Sequence, residues 1–494
     1  MHCPANHCPL LIATLAAGLL CGCAVGPDFV RPPGDSATRY LPEPLPAETV
    51  GASVEWGEPQ RFIEGTDPPS RWWTLFRSPQ LDRLVESALR DSPVIQSARA
   101  ASLAAREMAL SQRGVLFPAL QASFSSGRQK VPDPLASPLS SNSSLFTLHT
   151  AQLAISYVFD PFGGNRRLLE SMEAQAEAQR FQLEATSLTL ASNVVAGVVQ
   201  EASLRGQIAA SREVIRIEAE QLDLMRRQFD LGAIPRINVV AQESVLAQSQ
   251  ALVPQIEKQL AQQRNALAVL AGQLPGDGPG AEFELSSLRL PTEIPLSLPS
   301  RLVERRPDVR AAEAQLHAAA AQVGVAIANM LPQITLIAGA GYEATNLRDL
   351  ASPGNLLWNA TAGLAQPIFQ GGALLHRKRA MQAAHDQAAG QYRAVVLTAF
   401  QNVADALRAV ALDAEALRAA ATAEMATFES LKMTRKQLEL GDIGYLGLLT
   451  AQQAYQQAVI TRVQAQAARL SDAAGLFQAL GGGWDTGTSD HGPE

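Results

Sequence analysis

Two hydrophobic periodicities alternate along this chain, and each appears twice. In the long runs after Gly163 and Gly372, apolar residues recur at three- and four-residue steps. Ile208, Ile215, Leu222 and Phe229 stand seven apart. Val253, Ile256, Leu260, Leu267 and Leu270 follow, with Gln263 as the polar exception. Val396, Phe400, Val403, Leu407 and Val410 keep the spacing. So do Val459, Val463, Leu470, Ala473, Phe477 and Leu480, with Gln466 as the exception. Seams of this kind predict helices that bury one stripe against neighbouring helices in a shallow supercoil. Gly164 to Leu231, helical throughout, spans roughly 100 Å, which suits a rod or a tube wall.

The second period is two. Phe124, Leu153, Ile155, Tyr157 and Phe159 alternate with small or polar residues, the pattern of strands with one apolar face. Each half carries two such strands: QASFSSGR and LHTAQLAISYVFDPFGG in the first, TLIAGAGYEA and WNATAGLAQPIFQGG in the second. Four short strands cannot close a membrane barrel, because lipid leaves no partner for open edges. Three chains of four give twelve, an even number that such barrels adopt. β-Hairpins that merely cap the helices are the other reading.

The halves are copies. Asp91–Leu120 parallels Arg305–Ile334, each a helix that begins near one proline and stops at another, Pro118 or Pro332. The offset stays near 210 residues throughout. Each long helical run breaks once, at FDLGAIPRINVVAQES and at LELGDIGYLGLLTAQQ. Gly232 and Gly441 each follow a Leu there, where glycine tolerates a left-handed cap. Both breaks therefore read as helix–helix turns at the far end of the rod. SPQLDRLVESALRDSP, after Trp72 and Trp73, is a shorter amphipathic helix; residues 27–70 read as an irregular lead.

Composition narrows the function. Apolar residues make up 47% of the 494, aromatics only 5%, and the net charge is -7 without a basic block. That argues against a nucleic-acid partner. No P-loop, metal-spaced His/Cys cluster or Ser/His/Asp arrangement is present, so neither enzyme activity nor a cofactor is expected. His317, His376 and His385 fall in polar helical text and read as solvated. No later segment has 18 uninterrupted apolar residues, so no membrane helix is expected. All four cysteines lie at or before Cys23. Leu10–Leu20 has signal-peptide length, and Leu20-Cys21-Gly22-Cys23 resembles a bacterial lipobox, although no Lys or Arg precedes Arg31. Cleavage there leaves Cys23 to carry acyl chains, and Ala24 after it favours outer-membrane sorting. A plain signal peptide cut elsewhere is the alternative. The expected organisation is 1–22 signal, 23–71 acylated extended lead, 72–290 first repeat, 291–482 second repeat and 483–494 flexible tail.

Several stretches together resemble one family. They are Gly22–Pro32 (GCAVGPDFVRP), Glu304–Leu316 (ERRPDVRAAEAQL), Gln366–Gly372 (QPIFQGG) and the duplicated LG-x-I turns. They are similar to the TolC-like outer membrane factors, in the lipoprotein branch of the OprM and NodT type. The resemblance implies a mixed α and β, internally duplicated fold with four strands per chain in a shared twelve-stranded trimeric barrel. It also implies long coiled-coil helical hairpins below that barrel. The implied role is the passive exit duct of a tripartite efflux system in the outer membrane of a Gram-negative bacterium. The implied partners are two further copies of the chain, a periplasmic adaptor, an inner-membrane pump of the RND type, and outer-membrane lipid. A type I secretion duct shares the architecture and remains the nearest rival; acylation at Cys23 favours efflux. A trimeric adhesin, an adaptor and a lipid-anchored hydrolase each lack a required feature.

By the same resemblance, Leu231, Gly232, Ala233, Ile234, Leu440, Gly441, Asp442 and Ile443 form the adaptor-docking tips. Family members carry an acidic residue after the second tip, at the periplasmic constriction; here Thr450 holds that place. The expectation is a gate of Leu448, Leu449 and Thr450, with Asp442 as a second candidate for a charged ring. Three carboxylates would select cations; three threonines would not.

Overall fold

The computed structural model describes residues 24–32, 39–132, 143–278 and 280–482. The leader, the acylation candidate Cys23 and the 483–494 tail lie outside the described residues. The chain forms two compact units. One comprises described parts of 1–32, 101–179 and 312–392; the other, of 33–100, 180–311 and 393–494. Each unit draws on both repeats, so the duplication and the compact units divide the chain differently.

The first unit holds the sheet. β2 (Ala119–Lys130), β3 (Leu145–Phe159), β5 (Gln333–Ala344) and β6 (Leu356–Ala365) pair antiparallel in that order. Register puts apolar side chains on shared rungs. One is Leu120–Ile155–Ala338–Ala360; the next of that face is Ala122–Leu153–Ala340–Trp358, then Phe124–Ala151–Tyr342–Leu356. The intervening rungs are polar or small, as in Gln121–Ala154–Gly339–Asn359. A Cβ on Gly339 would lie 2.4 Å from Gln152 Nε2 and 2.6 Å from Asn359 Oδ1. Glycine there makes room for the polar side chains.

The lead also anchors in this unit. Arg167, buried, donates to the Val25 carbonyl at 3.2 Å, to Asp28 at 2.6 Å and to Glu170 at 2.8 Å. Its carboxylate partners hold the guanidinium charged in spite of burial. His317 is not solvated as expected. Its ring stacks on Phe29 at 4.5 Å, and Nε2 lies 2.9 Å from Glu170 Oε1.

Helices make up most of the chain outside the sheet. α1 (Pro79–Asp91) precedes α2 (Pro93–Gly114); α5 (Pro299–Arg305) and α6 (Pro307–Ala328) are their counterparts. All four begin at a proline, whose missing N–H is no loss in a first turn. The long helices are α3 (Gly164–Asp230), α4 (Arg236–Leu270), α7 (Ala373–Leu440) and α8 (Tyr445–Ala479). The expected breaks fall where the glycines stand.

Three expectations are revised here. The lead is not irregular throughout: β1 (Arg61–Glu64) pairs parallel with β4 (Glu293–Leu296), adding two strands to the expected four. The α3 seam runs through Ser211, Val214, Glu218, Leu222 and Met225, which are buried; Ile215 is half-buried and Phe229 exposed. And α7 contains an 18-residue stretch apolar enough by length and composition to cross a membrane. Both polar exceptions in the seams reach backbone carbonyls: Gln263 that of Gly197 at 3.1 Å, Gln466 that of Glu55 at 3.0 Å. Trp72, Phe76 and Phe477 fill the core beside the lead, with Trp72 and Phe477 rings 5.7 Å apart.

Candidate functional site at the hairpin turns

The two turns close by the same local chemistry. At the end of α3, Gly232 N–H donates to the Phe229 carbonyl at 2.8 Å and Ala233 N–H to Gln228 at 2.8 Å. At the end of α7, Gly441 N–H donates to Leu438 at 3.1 Å and Asp442 N–H to Gln437 at 2.9 Å. In each turn one bond reaches three residues back and the next five, the Schellman pattern, which requires a left-handed residue between them. Gly232 and Gly441 supply it at φ 75° and 78°.

A small apolar cluster joins the hairpins beneath the turns. Leu222, Met225 and Val239 form its centre, with Ile234, Leu246 and Tyr445 packed against it. The Tyr445 hydroxyl donates to Gln242 Oε1 at 3.4 Å, and burial pushes that hydroxyl's pKa up to about 12. Of the expected tip residues, Leu231 and Leu440 project into solvent, 84% and 68% exposed. Gly232, Ala233, Gly441 and Asp442 are also exposed, and Ile443 is half-buried. Ile234 instead belongs to the cluster.

The expected gate divides in two. Leu448 is fully buried and Leu449 only 8% exposed. Both face the protomer's own helices and cannot line a passage in this conformation, which corrects the expectation for them. Thr450 is exposed, and its hydroxyl donates to the Leu446 carbonyl at 3.0 Å. On the same face of α8 lie Leu446, Gln453, Gln457 and Thr461. From Tyr445 to Thr461 the helix has no charged residue. Behind this face the structure buries Glu218, Gln242, Ser249, Gln452 and Gln456. Sequence reasoning missed them. Their one signal was that Ser211, Glu218 and Met225 repeat every seven residues.

The chain thus combines a sheet that has one apolar face and two unpaired edges with two long helical hairpins. A family model described as outer membrane efflux protein matches residues 84–273 and 298–482. The chain belongs to the outer membrane efflux protein family. The pyoverdine export outer membrane protein OpmQ of Pseudomonas aeruginosa is 30% identical over 420 residues, 84% of this chain and 88% of that protein. The probable efflux pump outer membrane protein TtgC of Pseudomonas putida is 28% identical over 478 residues, 96% of each chain. Among solved structures, the outer-membrane channel OprN superposes with a TM-score of 0.83 at 25% identity, over 94% of this chain and all of that one. VceC of Vibrio cholerae gives 0.79 at 25% identity, over 85% of this chain and all of its own. This outer membrane efflux protein is thus a channel of TolC-like fold, located in the outer membrane of a Gram-negative cell.

Proposed function

We propose that three copies of the chain form one exit duct, with a twelve-stranded barrel in the outer membrane and a passage lined by helices. The observation that carries this is the sheet. Its apolar rungs are exposed, and β2 and β6 are unpaired edges, which lipid does not tolerate. Pairing β6 of one copy with β2 of the next removes every edge. The apolar rungs run along β3 from Ala151 to Phe159. That stretch covers about 20 Å once a strand tilt of about 40° is allowed for, near the apolar height of such barrels. Exposed Leu397, Leu412, Met425 and Phe428 on α7 give neighbouring copies an apolar surface to cover.

The duct is passive and carries out no chemistry of its own. The hairpin turns at Leu231–Ala233 and Leu440–Ile443 meet the periplasmic adaptor, with exposed Leu231 and Leu440 as the apolar contacts. An inner-membrane pump of the RND type supplies the energy. Acyl chains on Cys23 add a lipid anchor. Thr450 stands at the narrowest point, on the charge-free face of α8, supported from behind by Leu448 and Leu449; Asp442 is the nearest carboxylate in the turn. Relatives are named for pyoverdine, toluene and antibiotic efflux, and a wide conduit leaves that choice to the pump. Native mass measurement of the detergent-extracted protein tests the assembly. A complex of three chains is expected; a monomer or dimer that stays folded would contradict it.

A further inference from the structure

Glu218 is an acidic side chain in a place that offers an ionised carboxylate nothing. It is fully buried. Neither carboxyl oxygen has a hydrogen-bond partner. Around it stand neutral polar groups from two other helices. Gln242 of α4 donates to the Glu218 backbone carbonyl at 3.1 Å. Ser249 of α4 donates to Gln456 of α8 at 3.4 Å. Gln452, one turn closer to the hairpin end of α8, is buried with both ends of its amide unpartnered.

Most charged groups on the surrounding helices pair with one another. On α3, Arg216 pairs with Glu213 and Glu220. Arg212 pairs with Glu257 of α4, and Arg226 with Glu243 of α4. Arg462 of α8 pairs with Glu424 of α7. Tyr445 donates to Gln242, and the Tyr455 ring lies tilted against Phe428, centroids 5.5 Å apart. Arg435 of α7, with Nε and one terminal guanidinium nitrogen buried and unpartnered, acts on those two tyrosines. No cation forms an ion pair with Glu218 in this structure.

We propose that Glu218 is a buried proton-binding site beneath the hairpin turns, and that its protonated form latches α8 onto α3 and α4 in the closed channel. A neutral carboxyl can donate to an amide or hydroxyl oxygen in this layer; a carboxylate would lose its hydration with no donor or cation in return. Burial accordingly pushes its pKa up; the nearby Ser249 hydroxyl, which would lower it, is turned to Gln456 instead. The sign follows. With the folded-state pKa above the unfolded one, the stabilisation is complete below the ordinary carboxylate range and is lost as pH rises through the raised value. Ionisation then draws water into the seam and loosens α8. Thr450 and Gln452 share one turn of that helix, so movement of the buried side moves the exposed one.

The latch rests on the reading of the chain as a gated duct; the proton site does not. Two measurements on the full-length trimer in detergent and in planar bilayers separate them. Difference infrared spectra between wild type and Glu218→Gln, recorded across pH, read the protonated-carboxyl band directly. The band is expected in the wild type at the acidic end of the titration, to persist above the ordinary carboxylate range before it vanishes as pH rises, and to be missing from the variant. A band that vanishes within the ordinary carboxylate range, or is missing at every pH, overturns the proton site. In bilayers, the open probability of the wild type is expected to rise with pH, and Glu218→Gln, permanently neutral, to lose that dependence. A variant with an unchanged pH profile overturns the latch. Silent bilayers with the infrared band intact count against the duct and leave the proton site supported.

Discussion

The Arg469 guanidinium donates to the Trp56 carbonyl oxygen at 2.5 Å, joining α8 to a lead 413 residues earlier in sequence. The same side chain donates to the Glu58 carbonyl and to Gln60 Oε1, each at 3.0 Å. No carboxylate touches it; backbone and amide oxygens carry the compensation, and burial pulls its pKa down. Arg469→Met leaves several buried acceptors without a donor. At ~1–3 kcal/mol for each unsatisfied group, a loss of about 3 kcal/mol or more is expected. Thermal unfolding of the purified protein, with β1–β4 exchange as a local readout, checks it.

Leu153 and Gln152 are neighbours on β3 and belong to opposite faces of the sheet. Leu153→Arg places a charge on the lipid side and is expected to cost ~2–4 kcal/mol. Gln152→Arg is expected to leave stability nearly unchanged and to shift ion selectivity instead. Urea unfolding in lipid vesicles, paired with reversal potentials, separates the two effects. Equal destabilisation by both would mean that the assigned faces are wrong.

Thr450 stands on a face of α8 without charge. Weak cation–anion discrimination is expected of the wild type, and a clear cation preference of Thr450→Asp, because three symmetry-related carboxylates would then ring the passage. Strong cation selectivity in the wild type, unaltered by Thr450→Val, would remove Thr450 from the constriction.

Asp413 of α7 lies against Asp472 of α8. Burial first, then the neighbouring carboxyl, pushes the Asp413 pKa up to about 7, with Arg469 opposing. The folded-state value is the higher one, so its stabilising contribution is full below the ordinary aspartate range and fades as pH rises through about 7. Lower protection factors for the amides of α7 and α8, which discount the base-catalysed rise of intrinsic exchange, are expected at pH 8 than at pH 6, with the difference abolished in Asp413→Asn. No change across that range would place the shared proton elsewhere.

Gly441 and Gly272 both sit in the left-handed region, at φ 78° and 74°, in different surroundings. A Cβ on Gly441 meets nothing within 4 Å; one on Gly272 lies 2.7 Å from the Asp91 carbonyl oxygen. Gly441→Ala is expected to cost about 1–2 kcal/mol, from backbone strain alone. Gly272→Ala is expected to cost more, because backbone must move. Melting temperatures of the two variants give the order directly.

The legible parts of this fold were local or periodic. Gly232 and Gly441 mark their turns because a Schellman ending needs glycine whatever surrounds it. The strands announce themselves because Leu153 and Ile155 alternate with Ala154 and Ser156. What escaped was set by distant neighbours. Arg61–Glu64 and Glu293–Leu296 are four residues each, too short for a period, and one contains Pro295. Glu218 sits in charge-rich text that suggests solvent; only α4 and α8 bury it. Leu448 and Leu449 look like a lining beside Thr450, yet the seam of α8 turns both inward. Burial of a helix face depends on which helices flank it, and spacing alone does not name them.

Conductance of the purified trimer in a planar lipid bilayer tests the central claim most directly. Small, discrete, long-lived openings are expected from a duct closed at its hairpin turns, with larger openings when Thr450 is replaced by glycine. A correctly assembled trimer that inserts into the bilayer and conducts in neither form would contradict the account.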